Sequence, residues 1–164
     1  MAKPKTNLYI DGANVFYSQK ALGWSIDYKK TIRFFKLKYD ILQAKYYTGV
    51  KEGDIKMRSF LRHLDSVGIV PVTKPLKKIK SGKKLIYKSN FDVEMTMDLL
   101  LDRQSYDQCI LFSGDSDFHA LVKKLKDFGK TVIVCSSRKM IAWELKLSVD
   151  KYIFLDDLKK NIGR

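Results

Sequence analysis

Residues 109–118 read Cys-Ile-Leu-Phe-Ser-Gly-Asp-Ser-Asp-Phe, an apolar run that passes directly into a turn of small and acidic residues. A short apolar run bounded by turn residues is typical of a buried strand in a parallel sheet. Downstream, Leu121, Val122 and Leu125 recur at helical spacing, and Gly129 provides a stop. This segment predicts a strand, a turn and a helix, with the acidic residues at the carboxyl end of the strand.

The same order of strand, polar turn and helix recurs along the chain. A first strand is predicted at 7–10, followed by Asp11-Gly12-Ala13-Asn14, where we expect Asn14 to cap a helix that begins at Val15. Further strands are predicted near 41–47, 69–72, 131–134 and 152–154, and helices near 27–36, 54–67, 91–102 and 140–147. This alternation predicts a three-layer α/β/α sandwich around a mainly parallel sheet.

Length, charge and cysteine content limit the classes of function. The 164 residues correspond to a single domain, residues 1–164, without a linker. The 32 Lys and Arg exceed the 18 Asp and Glu, and the net charge of +14 favours a nucleic-acid partner. No apolar run is long enough to span a bilayer, so we expect a cytoplasmic protein with no membrane partner. Cys109 and Cys135 lack metal-ligand spacing and are expected to be reduced core thiols, with a disulfide as the lesser alternative.

A basic segment at about 74–88 is predicted to form a hairpin or a loop around Ser81-Gly82. Runs of charge are usually solvated surface, but this one leads directly to Asp92, which favours an arm that follows the phosphates of a nucleic acid. A second basic set at 29–38 can extend that track. The lysines expected to bind nucleic acid, RNA or DNA, are Lys74, Lys77, Lys78, Lys80, Lys83, Lys84 and Lys88.

Acidic residues follow two of the predicted strands and begin one helix. Asp11 follows the first strand, Asp115 and Asp117 follow a later one, and Asp92 lies in the first turn of the helix after the basic segment. Ligands of open parallel sheets bind outside the carboxyl ends of the strands, so we expect these residues to converge. Carboxylates about 5 Å apart repel by roughly 3 kcal/mol per pair at an effective dielectric near 20. Such a cluster favours Mg²⁺ or Mn²⁺, which take oxygen ligands.

Each of these residues also has an ordinary structural interpretation. An Asp-Gly turn followed by Asn is common at the start of a helix, and Ser116 or Asp117 can cap the helix that follows. Glu94 and Asp102 are interpreted as part of a solvated helix face.

Three segments in series resemble the NYN domains of the LabA-like group, part of the PIN-like nuclease superfamily. They are Asp11-Gly12-Ala13-Asn14, the run from Lys88 through Asp98, and Phe112-Ser113-Gly114-Asp115-Ser116-Asp117-Phe118, and the resemblance in their order and spacing extends over almost the whole chain. The resemblance implies a Rossmann-like PIN fold and divalent-metal-dependent cleavage of RNA. It implies that the catalytic metal ligands are Asp11, Asp92, Asp115 and Asp117, supported by Asn14 and Ser113, with Asp98 as a weaker metal ligand.

The leading hypothesis is a Mg²⁺- or Mn²⁺-dependent endoribonuclease acting on single-stranded or unpaired RNA. Water would be the nucleophile, and cleavage would leave a 5′-phosphate and a 3′-hydroxyl. One alternative is a non-catalytic RNA-binding regulatory module that retains the acidic pocket, and another is a phosphatase acting on a small substrate. The sequence leaves a homodimer open.

Overall fold

A computed structural model describes residues 2–164 and contains one six-stranded parallel sheet in the order β3-β2-β1-β6-β7-β8. A separate antiparallel hairpin pairs β4 with β5. The strands are β1 Lys5–Asp11, β2 Asp40–Val50, β3 Val70–Pro75, β4 Lys77–Ser81, β5 Lys84–Lys88, β6 Gln108–Phe112, β7 Thr131–Ser136 and β8 Lys151–Phe154.

Helices connect the strands and cover the sheet. They are α1 Gly12–Leu22, α2 Tyr28–Lys38, α3 Ile55–Ser66, α4 Asp92–Leu101, α5 His119–Asp127, α6 Trp143–Ser148 and α7 Lys159–Ile162. None of these helices, in the chain from residue 2 onward, combines the length and the apolar character needed to cross a bilayer.

The core lies on both faces of the sheet, because alternate residues of each strand point to opposite sides. On one face Leu8 and Ile10 pack with Phe35 of α2, and on the other Tyr9 packs among residues that include Met95 of α4. All five residues of β6 are buried, as expected for a central parallel strand. The predicted three-layer α/β/α sandwich with a mainly parallel, Rossmann-like sheet is confirmed. Both cysteines are buried free thiols, as expected.

The predicted helix starts differ from the observed ones by one to three residues, and two of them show why. The first helix begins at Gly12 and not at Val15, because Asp11 is extended and its carboxylate accepts the backbone N–H of Asn14. The capping residue is therefore Asp11, and Asn14 lies inside the helix. The fourth helix begins at Asp92 and not at Phe91, and Asn90 Oδ1 accepts the Asp92 N–H at 2.7 Å.

The basic segment forms a hairpin, the first of the two structures expected for it. Its strands pair from Lys77 with Lys88 to Ser81 with Lys84 and join no other strand. The two ends of the hairpin cross over Gly49 of β2, where a Cβ atom would overlap both Leu76 and Ser89. Gly49 therefore allows the hairpin to lie close against the sheet. The neighbouring β3 is an outer strand that contains Pro71 and Pro75.

Candidate functional site

The candidate site lies at the topological switch point of the sheet, between the adjacent strands β1 and β6. β1 and β6 are adjacent at the centre, β2 and β3 extend the sheet to one side, and β7 and β8 extend it to the other. Loops that leave two such strands diverge, which opens a crevice at their carboxyl ends. Asp11 is the last residue of β1, and Ser113, Gly114 and Asp115 directly follow β6. The fold therefore brings the two acidic turns together, as the sequence predicted.

Hydrogen bonds join the two turns into one unit. Asp11 Oδ1 accepts the Asn14 N–H at 3.2 Å, and Asp11 Oδ2 accepts the Ser113 hydroxyl at 3.0 Å. The Asn14 carboxamide oxygen accepts the Gly114 N–H at 3.0 Å, and Ser113 Oγ accepts the Asp115 N–H at 3.3 Å. Asn14 and Ser113 thus contact the acidic turns directly and fix their relative positions.

Asp115 has the capping role that the sequence suggests for its neighbours. Its Oδ1 accepts the Asp117 N–H at 3.0 Å and begins a short 3₁₀ turn at 116–118, so the cap is neither Ser116 nor Asp117. The preceding Gly114 lies against the backbone of Met140 and Ile141, and a Cβ atom would come within 2.7 Å of the Ile141 Cα. The turn is therefore fixed from both sides, with Asp117 exposed at its outer end.

Three carboxylates converge at this turn. Asp92, Asp115 and Asp117 each provide an oxygen, and these oxygens lie within 4.8 Å of one another. Asp92 reaches the cluster from the first turn of α4. A small divalent cation bound by a few carboxylates, with the remaining positions left to water or phosphate, fits this donor set. Asp11 lies outside this group of three and is joined to it through Ser113.

The electrostatics of the cluster favour a cation. Burial raises the pKa of Asp11, and the negative charge of Asp115 raises it further. The pKa of Asp92 is raised by burial first and then by the charges of Asp115, Asp11 and Asp117, so the four carboxylates act on one another. Among residues 2–164, the ion pairs involve none of these four side chains. Among the described residues, the negative charge of these four carboxylates is thus left without a cationic side chain, although the chain is strongly basic.

Asp98 does not join the three converging carboxylates, contrary to the weaker expectation for it. Its Oδ2 accepts the Tyr47 hydroxyl at 2.6 Å and lies 3.2 Å from the Lys45 ammonium. Asp102, interpreted from sequence as solvated, binds the same ammonium at 3.0 Å and also accepts the Tyr9 hydroxyl at 2.9 Å. Asp98 therefore attaches α4 to the sheet, Asp102 attaches the turn that directly follows α4, and the two carboxylates share the single positive charge of Lys45.

Lys74 differs from the other lysines assigned to RNA. It lies in β3, before the hairpin, where its ammonium donates to Glu94 Oε1 at 2.7 Å and to the Asn90 carbonyl. Glu94 is therefore paired and not simply solvated as its place on the helix suggests, and this pair lowers its pKa. The other six lysines extend along the hairpin: Lys77, Lys78, Lys80, Lys83, Lys84 and Lys88.

A groove of about 990 Å³ connects the acidic cluster with the base of the hairpin. Asp11, Asp92 and Asp115 line it at one end, and Tyr87 and Lys88 line it beside the hairpin. The groove continues over aromatic residues of α1, α2 and β2. Sequence reasoning missed Tyr46 there, since a tyrosine within an apolar strand is indistinguishable from an ordinary core residue.

Comparisons with known proteins agree with this fold. The sequence matches the NYN domain family over residues 5–156. It is 33% identical over 162 residues to the low amplitude and bright protein LabA of Synechococcus elongatus. That match covers 96% of this chain and 87% of the LabA chain. A crystal structure of a Vibrio parahaemolyticus protein of unknown function superposes with a TM-score of 0.84 at 26% identity, covering 99% of this chain and 97% of that one.

Proposed function

Because the chain belongs to the NYN domain family and is thus a PIN-like nuclease-family domain, we propose that it is a divalent-metal-dependent endoribonuclease for single-stranded or unpaired RNA. The observation that carries the proposal is the convergence of three carboxylate oxygens within 4.8 Å, without a cationic side chain, at the end of a groove that leads to a basic hairpin. Carboxylates alone would repel a phosphodiester, so this arrangement suits RNA only when a cation is bound.

The chain's own residues divide the work between the cluster and the hairpin. Asp92, Asp115 and Asp117 would hold Mg²⁺ or Mn²⁺, which when bound supplies charge neutralisation and activation of water. Asp11 orients Ser113, whose hydroxyl in turn fixes the Asp115 backbone. The lysines of the hairpin would hold the RNA backbone on the side of the groove that leads to Asp92.

The second candidate is an RNA-binding regulatory module without catalysis. It is favoured by the hydrogen bonds at the acidic turns, because both oxygens of Asp11 and one of Asp115 already accept donors from the protein. These bonds hold the turns in place independently of a cation. A pocket of this kind can persist in a protein that binds RNA and does not cut it.

The decisive experiment is a time course on an end-labelled single-stranded RNA, with a duplex of the same sequence beside it. We expect cleavage of the single strand in Mn²⁺ or Mg²⁺, its loss in excess EDTA, and products with 5′-phosphate and 3′-hydroxyl ends. Calcium should not restore activity, because its larger and looser coordination aligns water and phosphate poorly.

An Asp11→Asn, Asp115→Asn double variant is the control for a contaminating nuclease. Activity shared by wild type and the double variant would be contamination. Metal-independent cleavage that the double variant lacks would contradict the mechanism. Salt-sensitive binding without any cleavage would establish the regulatory module instead.

A further inference from the structure

Helix α4 carries apolar side chains on both its inner and its outer face. Met95 and Leu99 are fully buried in the core between the helix and the sheet. Val93, Met97 and Leu101 recur every four residues on the opposite side, where they are 69%, 55% and 70% exposed. The outer face of a surface helix is normally polar, and apolar residues on both faces are typical of a helix that is covered on both sides. The outer face of α4 is therefore suited to contact another protein surface.

This apolar surface extends past the end of α4. The Arg103 side chain donates to the Leu100 carbonyl at 2.6 Å, and its guanidinium lies 4.7 Å from the ring centroid of Phe128. Phe128 directly follows α5 and is 43% exposed. Exposed apolar side chains that adjoin one another and are bordered by charged groups mark a contact surface, whereas single scattered ones do not. The surface that we call the α4 face consists of Val93, Met97, Leu101 and Phe128.

The charge of α4 argues against RNA and in favour of a second copy of the chain. Lys and Arg make up 32 of the 164 residues, but α4 contains neither and carries Asp92, Glu94 and Asp98. A phosphate backbone would therefore meet no cation along this helix. Two copies that each carry a net charge of +14 repel one another, so they can approach closely only where Lys and Arg are sparse. The outer face of α4 is such a place.

The two ends of α4 carry opposite charges, which suits a pair of antiparallel helices. Glu94 lies in the first turn and binds Lys74 through Oε1, one of its two carboxylate oxygens. Arg103 lies just beyond the last turn and forms no ion pair among residues 2–164. Antiparallel packing brings the acidic end of one helix to the basic end of the other, whereas parallel packing brings like ends together.

The spacing of the apolar residues fits a two-fold axis at Met97. Such an axis places Val93 level with Leu101 of the second copy, so the two apolar stripes meet along their whole length. Arg103 of the second copy then lies three residues beyond the level of Glu94, which is about 4.5 Å along the helix. An arginine side chain spans that distance, and its guanidinium can pair with a carboxylate. The apolar and the charged residues therefore fit the same arrangement.

We propose that the chain forms a homodimer in which the α4 faces of two copies pack antiparallel about a two-fold axis at Met97. Asp92 lies five residues before Met97 and thus about 140° around the helix, so the acidic cluster and the groove stay outside the interface. A ten-residue helix is about 15 Å long, so this interface is small, and we expect a dissociation constant on the order of 10 µM. The dimer is independent of the proposed function.

Sedimentation equilibrium of the full chain from about 1 to 100 µM tests for the dimer. We expect the mass to rise with concentration from the 19.1 kDa of one chain towards twice that value. Met97→Lys places two ammonium groups at the axis and should raise the dissociation constant at least about tenfold. Leu37→Lys is the matched control, because it adds the same charge at a residue of α2 that is 75% exposed, and it should dimerise like wild type.

Cysteine cross-linking tests the geometry of the dimer. Only a residue on the axis lies opposite its own copy, so Met97→Cys should form an intermolecular disulfide when diamide is added as oxidant. Leu101→Cys alone should not, because the two positions lie about 12 Å apart along the helices, but it should cross-link when combined with Val93→Cys. Both native cysteines are buried and should not react.

Several results would overturn the proposal. The mass of a single chain at every concentration would do so, as would a dimer that Met97→Lys leaves intact, which would place the interface elsewhere, for instance at β8. Equal loss of the dimer in Met97→Lys and Leu37→Lys would show general charge repulsion and no contact at α4. If the melting temperature showed that Met97→Lys does not fold, the absence of a disulfide in Met97→Cys would overturn the proposal and its presence would support it. A monomeric Met97→Lys that still cleaves RNA would support the dimer and leave the nuclease intact.

Discussion

Replacing Asp115 with Asn should make the metal-free protein more stable. Asp115 takes part in two of the three carboxylate pairs whose oxygens lie within 4.8 Å. Unit charges at that separation repel by about 0.9 kcal/mol at the dielectric of water and by about 3.5 kcal/mol at an effective dielectric of 20. Because Asp117 is exposed, the lower value is appropriate, and the two pairs together cost about 2 kcal/mol. Asn retains an oxygen that can accept the Asp117 N–H, so the cap of the 3₁₀ turn survives.

This change in stability has a measurable size in both the absence and the presence of metal. For a chain of this length, 1 kcal/mol corresponds to about 2–4 °C, so we expect the metal-free variant to melt about 4–8 °C higher than wild type. Manganese at one hundred times its dissociation constant should stabilise wild type by about 2.7 kcal/mol. The variant should lose most of that gain, because it lacks one of the three charges proposed to hold the ion.

Differential scanning fluorimetry in EDTA and over a Mn²⁺ titration measures both effects. Asp65→Asn is the matched control, since it removes an exposed carboxylate on α3, away from the cluster. We expect Asp65→Asn to melt close to wild type and to respond normally to Mn²⁺. A lower melting temperature for Asp115→Asn in EDTA, or equal Mn²⁺ responses in wild type and Asp115→Asn, would refute the reasoning.

Three further predictions concern the parts around the cluster. Lys45→Met should lower the free energy of unfolding by about 3 kcal/mol in urea, because it leaves Asp98 and Asp102 without their cation; an unchanged midpoint would contradict this. Gly49→Ala should push the hairpin away at Ser89, weakening RNA binding several-fold while the Mn²⁺ midpoint measured by fluorimetry stays the same. Alanine at four hairpin lysines should reduce the salt dependence of RNA binding. The slope of the logarithm of affinity against the logarithm of salt concentration should be smaller by about 0.7 for each phosphate that is no longer neutralised. An unchanged slope would mean that the RNA backbone binds elsewhere. The four lysines to replace are Lys77, Lys78, Lys83 and Lys84.

The sequence predicts the layers of the fold well because the signal for each element is local. Phe118, Leu121 and Leu125 share one buried helix face, and a parallel sheet needs only such runs and the polar turns between them. The residue that caps the N-terminus of α1 was harder to predict from the sequence. Asp11 and Asn14 both suit a helix start, and only the backbone conformation of Asp11 identifies it as the cap.

The environment of the acidic residues could not be predicted, because it depends on contacts between distant parts of the chain. Asp98 and Asp92 lie on the same helix, but Lys45 of β2 reaches only Asp98. Tyr28 illustrates the same limit, since its environment is formed by Tyr46 and Phe60 from two other elements. Spacing along a helix predicts which face of the helix a residue occupies, but not which charged or aromatic side chain of another element contacts that residue.

The prolines of β3 also determine how this sheet meets other chains. An outer strand presents a row of free N–H groups that can pair with a strand of another molecule and seed aggregation. Backbone N–H groups alternate in direction along a strand, so the backbone nitrogens of Pro71, Thr73 and Pro75 face the same way. Proline has no N–H and is tolerated in a strand only where that group would face away from the neighbouring strand. These three positions therefore face away from β2. The outward row at β3 is therefore reduced to the donor of Thr73. Strand addition on this side is suppressed, which leaves the four-residue β8 as the edge on which two copies could join their sheets.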